Sequence, residues 1–289
     1  MVYVKLLLTA IFWGGTFIAG RAIAERVDPF AAAFLRFAVA SLLLVPLAWR
    51  EQGHLPPFRK EQILPLILAG MTGVFAYNLC FLNGLKFITA GRASLIVAMN
   101  PVLISLSAVF VFSDRLTWAR ATGISLSVFG ALIVISKGNL FTLLSGGLGR
   151  GELLILGAAA SWAAFSLIGK ILMRGLSPLV SVSLSSLIGA VALFLPACYK
   201  GLFDEMFSYR IVDWGSILFL GVFGTVLGFV WYYEGIRKIG PTRAGQFINF
   251  VPISAVLLAF LILKEPVSWS LMIGGLLVIS GVYLTNTKS

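Results

Sequence analysis

The sequence predicts an all-α integral membrane fold, with ten transmembrane helices arranged as two inverted five-helix repeats. The first observation behind this is a mean hydropathy of +1.00, with 59% hydrophobic and 11% charged residues. A soluble domain carries about a quarter charged residues. The second is that the apolar residues gather into runs of about 20, long enough to cross ~30 Å of hydrocarbon. The third is internal repetition. Trp13, Gly20, Arg21 and Pro29 recur as Trp162, Gly169, Lys170 and Pro178, at an offset of 149. Gly70, Gly73, Gly84, Arg92, Pro101, Asp114, Trp118, Gly123 and Gly130 recur as Gly221, Gly224, Gly235, Arg243, Pro252, Glu265, Trp269, Gly274 and Gly281, at an offset of 151. So many matches in register imply duplication, with an indel near the middle of each half.

The first repeat occupies 1–138, with expected spans at 5–24, 30–49, 63–84, 90–112 and 117–136. The second occupies 150–289, with spans at 151–173, 178–199, 214–236, 242–263 and 268–285. Together they form one membrane unit. Each span must be a helix, because lipid supplies no partner for exposed backbone N–H and C=O groups. The runs also lack the alternation of period two that marks a membrane barrel. Breakers separate them: Val27-Asp28-Pro29, Gly53-His54-Leu55-Pro56-Pro57, Lys137-Gly138-Asn139, Gly146-Gly147, Ser177-Pro178 and Ile239-Gly240-Pro241. The first span could be read as a signal peptide, since Lys5 precedes it and Ala22-Ile23-Ala24 resembles a cleavage site. Its internal copy around Trp162 favours a retained helix.

Five spans per repeat is an odd number, so the halves enter the bilayer with opposite orientation. With both termini cytoplasmic, the inner loops hold twelve Lys or Arg residues and the outer loops nine, a weak bias in that direction. The net charge of +11 would suggest nucleic acid in a soluble protein. Here the cations are scattered singly between apolar runs, as topology determinants are, and no nucleic-acid partner is expected. Cys80 and Cys198 lie inside apolar runs and read as small core residues.

The polar content of the spans narrows the chemistry. The single histidine, His54, lies in a Pro-rich loop, and no acidic residue occupies the middle of a span. That excludes an evident catalytic set, metal site or buried proton relay, and no cofactor is expected. Arg36 stands alone inside the second span. It is either a functional charge or a side chain that snorkels to the interface, with or without a carboxylate partner. Its repeat counterpart is Ser185, so symmetry does not require the charge. Asn78, Asn100, Gln246 and Asn249 need partners at membrane depth, either as glue between helices or facing a watery cavity. Pro101 and Pro252 free backbone carbonyls in spans four and nine.

Aromatic residues fall at related places. Gly73, Tyr77, Phe81 and Gly84 share one helical face, as do Gly224, Gly228, Tyr232 and Gly235. Trp13 and Trp162 sit in mid-span, away from the interfaces where Trp usually anchors. Each ring alone reads as packing, whereas the paired set could line a pocket.

This pattern resembles the drug/metabolite transporter superfamily, EamA type. The residues that carry the resemblance are Trp13-Gly14-Gly15, Phe34-Leu35-Arg36, Asn100-Pro101 with Asp114, and Val251-Pro252 with Glu265. Within that group the acid-free, ring-lined spans look most like bacterial exporters of aromatic and other neutral amino acids. The resemblance implies an inner-membrane protein that is not an enzyme and works by alternating access around a central cavity. Trp13, Tyr77, Phe81, Asn100, Trp162, Tyr232, Gln246 and Asn249 would line that cavity, with Arg36, Pro101 and Pro252 structural or gating. The expected partners are a small neutral or aromatic amino acid and the lipid bilayer. The alternatives are a carrier of phosphorylated or anionic metabolites, which would want a pair of cations facing the cavity from among Lys170, Arg36 and Arg92, and a membrane channel or non-transporting scaffold.

Overall fold

A computed structural model describes residues 1–52, 59–100, 102–103, 118–139, 148–239, 244 and 247–286. Among the described residues the regular structure is entirely helical. The main helices are α1 (Val2–Ile23), α2 (Pro29–Gln52), α3 (Lys60–Phe87), α4 (Ala90–Val97), α5 (Trp118–Ile135), α6 (Arg150–Leu172), α7 (Pro178–Tyr199), α8 (Ile211–Ile239), α9 (Phe247–Leu263) and α10 (Trp269–Asn286). A short turn of helix, Leu202–Glu205, links α7 to α8. Six helices, α1, α2, α3, α6, α7 and α8, are long and apolar enough to cross a membrane; α5, α9 and α10 are shorter and apolar.

Local sequence sets the helix starts. The Asp28 carboxylate accepts the Phe30 N–H at 2.8 Å, with Pro29 as the first helical residue of α2. The matching start of α7 uses Ser177 and Pro178, with the Ser177 hydroxyl accepting the Val180 N–H. Gln62 and Asp213 reach back to the N–H groups of Arg59 and Arg210 before α3 and α8. These capped polar turns make α3 and α8 longer than their apolar runs, at 28 and 29 residues against the expected 63–84 and 214–236. Regular α-helix in α4 stops at Val97, and the chain turns at Ala98–Met99. Proline has no N–H, so Pro101 cannot donate to the Val97 carbonyl. The backbone of Pro101 itself, and the rest of the span expected at 90–112 except 102–103, lies outside the described residues.

Both α3 and α8 contain a π-helical segment at repeat-related positions, Gly70–Ala76 and Leu220–Leu227. Such segments interrupt the i→i−4 ladder and concentrate at functional sites. Hydropathy does not reveal them.

Helices of one half pack on helices of the other. α1 lies against α8 and α9, α6 against α3 and α4, α2 against α7, and α5 against α10. The α5–α10 contact depends on glycine: a Cβ on Gly130 would sit 2.7 Å from the Gly274 carbonyl oxygen. Large apolar side chains such as Leu42, Leu64, Leu195 and Leu276 remain exposed on the outside of the bundle, where lipid would cover them. Gly274→Val should force α5 and α10 apart and cost about 1–3 kcal/mol. Thermal unfolding of the purified variant in detergent should show a lower midpoint than wild type.

Candidate functional site

Eight aromatic rings from both halves meet between α1, α3, α6 and α8. Trp13 lies 5.8 Å from Trp162, 5.2 Å from Tyr232 and 6.0 Å from Phe229, centroid to centroid. Trp162 lies 5.3 Å from Tyr77, 5.4 Å from Phe165 and 5.3 Å from Phe229. Tyr77 stacks on Phe81 at 5.6 Å and 11°, and Phe81 meets Phe17 edge-on at 5.1 Å. Glycine permits this density, because Gly228 leaves room for the Trp13 indole and Gly73 for the Phe165 ring. The sequence reading placed Trp13, Tyr77, Phe81, Trp162 and Tyr232 together, and the structure brings them together. It adds Phe17, Phe165 and Phe229, which look like ordinary core residues in the sequence. The rings are packed against one another and against their neighbours: Trp13 is 9% exposed and Trp162 8%.

Beside the rings lies Arg36. Its Nε donates to the Thr225 hydroxyl at 3.0 Å and its Nη1 to the Asn78 carbonyl oxygen at 2.8 Å. Both acceptors are themselves held through π-segment carbonyls. Thr225 donates to Leu220 O at 3.0 Å, and the Asn78 amide donates to Val74 O at 2.7 Å. The guanidinium also lies over the Phe37 ring, 5.1 Å from its centroid. The Trp13 indole N–H donates to the Gly224 carbonyl at 3.0 Å, next to this group. A Cβ on Gly224 would stand 2.6 Å from the Thr16 methyl and 3.5 Å from Nη2 of Arg36. The snorkelling reading of Arg36 is therefore corrected. The side chain is 3% exposed and pinned by α3 and α8 rather than reaching the interface. Among the described residues it pairs with an amide and a hydroxyl, and with no carboxylate.

The remaining expected residues are dispersed. Asn100 is buried, with no hydrogen-bond partner on Oδ1, beside the break in α4. Asn249 ends the 3₁₀ turn that opens α9, and Pro252 is buried in the first turn of regular helix that follows. Gln246 and Pro101 lie outside the described residues. Among the described residues no three His, Cys, Asp or Glu side chains gather into a metal-binding group.

Charged contacts tie the ends of the bundle. At one end Arg26 pairs with Asp213 at 2.7 Å and Arg92 with Glu152 at 2.8 Å. There the Glu265 carboxylate also accepts the Ala90 and Gly91 N–H groups that open α4, at 2.9 and 3.1 Å. The Asp213 bond raises the proton affinity of the exposed Arg26 guanidinium, so that pair stays charged at any physiological pH. A cavity of ≈ 330 Å³ adjoins this end, bordered by Arg92, Lys137, Glu265 and Ser268. At the opposite end Lys5 pairs with Glu234 at 2.7 Å, and Ser177 donates to Glu51 at 2.9 Å. Arg92 and the exposed Lys170 lie near opposite ends of α6, roughly 27 Å apart at 1.5 Å per residue, so they do not share one pocket.

Trp13→Phe keeps a ring but removes the donor to Gly224. It should lower stability by about 0.5–1.5 kcal/mol. An unchanged unfolding midpoint would show that the bond adds nothing.

The comparisons with known proteins agree with one another. The EamA-like transporter family matches residues 1–136 and again 149–287. An uncharacterized transporter of Bacillus subtilis, YyaM, is 29% identical over 97% of this chain and 92% of its own. A second, YetK, is 30% identical over 99% of this chain and 87% of its own. A probable terminal-alkyne amino-acid exporter of Streptantibioticus cattleyicolor is 27% identical over 98% and 93%. One protein crystal structure shares the fold, with a TM-score of 0.65 and 18% identity over 96% of this chain and 97% of that one. With both halves matched and full-length relatives sharing its span, the chain belongs to the EamA-like transporter family.

Proposed function

We propose that the protein exports small neutral metabolites, above all aromatic and other neutral amino acids, across the inner membrane. In this reading ten membrane helices form two inverted repeats, 1–138 and 150–289, which rock about the ring cluster to give alternating access. The observation that carries the proposal is the Trp13–Trp162 contact, where repeat-related indoles from the two halves meet inside a cage of six further rings. Such a cage suits an apolar or aromatic side chain, since each ring pair adds about 0.5–1.5 kcal/mol beyond burial.

Further observations support the same reading. The exchange of packing partners between halves is what a pseudo-two-fold relation requires. The charged contacts support opposite orientation: α1 begins at the Lys5–Glu234 end, whereas α6 begins at the Arg92–Glu152 end. A relative named as a probable amino-acid exporter supports the substrate class. The separation of Arg92 from Lys170 weighs against a phosphate clamp built from those two residues. The absence of acidic residues from the middle of the described spans favours transport without a buried proton-binding carboxylate, and the Lys and Arg bias of the loops favours both termini cytoplasmic.

Proteoliposomes preloaded with tryptophan, leucine or a phosphorylated sugar provide the test, with and without a proton gradient. Tryptophan should leave fastest and ignore the gradient, and Trp162→Ala should slow its release about tenfold, equivalent to ~1.4 kcal/mol. Release of the phosphorylated sugar alone would sink the proposal, and unchanged tryptophan release from Trp162→Ala would remove that ring from the site.

A further inference from the structure

The geometry points to Arg36 as the centre of an anion subsite that takes the carboxylate of the transported amino acid. This rests on the ring cluster being the substrate site, and adds to it the group that recognises the polar end of the substrate.

The first argument comes from the two halves compared position by position. Gly70 closes on the Ser185 carbonyl oxygen, where its Cβ would stand 3.0 Å away, and Gly221 closes on the Arg36 carbonyl oxygen at 2.9 Å. Gly73 meets Phe165, and Gly224 meets Thr16. The backbone frame is therefore duplicated, and Ser185, Phe165, Val74 and Phe229 stand at the positions of Arg36, Thr16, Thr225 and Asn78. One copy of the frame is finished with rings, a valine and a serine that bonds its own helix through Ser181 O and Val182 O. The other copy carries a guanidinium, two hydroxyls and an amide. Since the frame closes without the polar set on one side, packing does not explain that set on the other.

The second argument is electrostatic. A fully buried guanidinium at membrane depth is costly unless a counter-charge accompanies it. Asn78 and Thr225 orient the group as neutral dipoles, and among the described residues no carboxylate pairs with it. A substrate carboxylate is the counter-ion that would complete the site, and charge-assisted bonds to arginine are the strong kind.

The third argument is position. Gly224 lacks a Cβ on the side where Nη2 lies, and its carbonyl holds the Trp13 indole at the edge of the ring cluster. A carboxylate approaching Arg36 from the cluster would place its own side chain among Trp162, Tyr77, Phe165 and Phe229. The broken symmetry thus gives the site a polar pole and an aromatic pole, which fits an amphipathic zwitterion held in one orientation.

The test uses matched acids and amides: tryptophan with tryptophanamide, and leucine with leucinamide. Efflux from proteoliposomes is followed for wild type, Arg36→Gln and Thr225→Val. Wild type should release each acid at least about tenfold faster than its amide. Arg36→Gln should bring the acids down to the amide rate, and Thr225→Val, which keeps the charge but not its orienting hydroxyl, should narrow the ratio. Retained acid preference in Arg36→Gln overturns the subsite, as does equal release of acids and amides by wild type, or release of none of the four. If Arg36→Gln does not reach the membrane folded, an unchanged ratio in Thr225→Val overturns it instead. Acids preferred over amides but leucine over tryptophan would remove the aromatic substrate and keep the subsite. Indoles preferred whether or not they carry a carboxylate would do the reverse.

Discussion

The close approach of α1 to α8 and α9, matched by that of α6 to α3 and α4, is the contact from which the rest of the structure follows. Lipid is as apolar as leucine, so helices gain little from merely hiding side chains from it. Association instead depends on how closely backbones can approach and how many atoms then touch. Glycines supply that closeness on both sides. Gly14 meets Ser254 and Ala255, and Gly235 meets Leu6. Gly84 meets Ile155, and Gly157 meets Cys80. Because these contacts join opposite halves, the centre of the bundle belongs to neither half alone, and the two mid-span indoles are brought face to edge there.

The paired π segments add a second layer of organisation. A π turn leaves carbonyl groups offset from the regular ladder, and in α8 the Thr225 hydroxyl donates five residues back to Leu220. In α3 the Asn78 amide donates to Val74. These local bonds fix the two groups that hold Arg36, so the guanidinium is positioned by backbone irregularity in two helices that both face α2. The same irregularity in the two halves supports opposite kinds of chemistry, polar around Arg36 and apolar around Phe165 and Phe229.

The ends of the bundle differ in how firmly they are tied. Lys5–Glu234 is roughly one-third exposed on each partner, a setting in which ion pairs contribute about 0–1 kcal/mol. At the other end Asp213 and Glu152 are buried, and Glu265 adds a helix-capping bond that links α9 to the start of α4. Removing one member of the Arg92–Glu152 pair would leave a buried charge without water, a larger cost than at the more exposed Lys5–Glu234 pair.

Much of this was legible in the sequence because membrane insertion and duplication both leave linear signals. Apolar run length located the six long helices among the described residues, and the repeat register paired Trp13 with Trp162 before any packing was known. The faces carrying Tyr77, Phe81 and Tyr232 followed from helical spacing. Other features have no linear signal. Phe165, Phe229, Thr16 and Thr225 are ordinary residues in apolar runs, and acquire a role only through what lies across from them in the other half. Arg36 was open to two readings because depth along a helix can be counted from sequence, whereas burial by a neighbouring helix cannot. The clue that the sequence did contain was the mismatch between the halves at four related positions, visible once the structure showed that those positions meet. By itself, then, the sequence determined an all-helical, internally repeated membrane chain with indoles at mid-span, since hydropathy and periodicity depend on residues adjacent along one helix. Only the tertiary structure decided that the rings close on one another and that a buried guanidinium stands beside them with, among the described residues, an amide and a hydroxyl as its partners, because those facts depend on the distance between helices far apart in the chain.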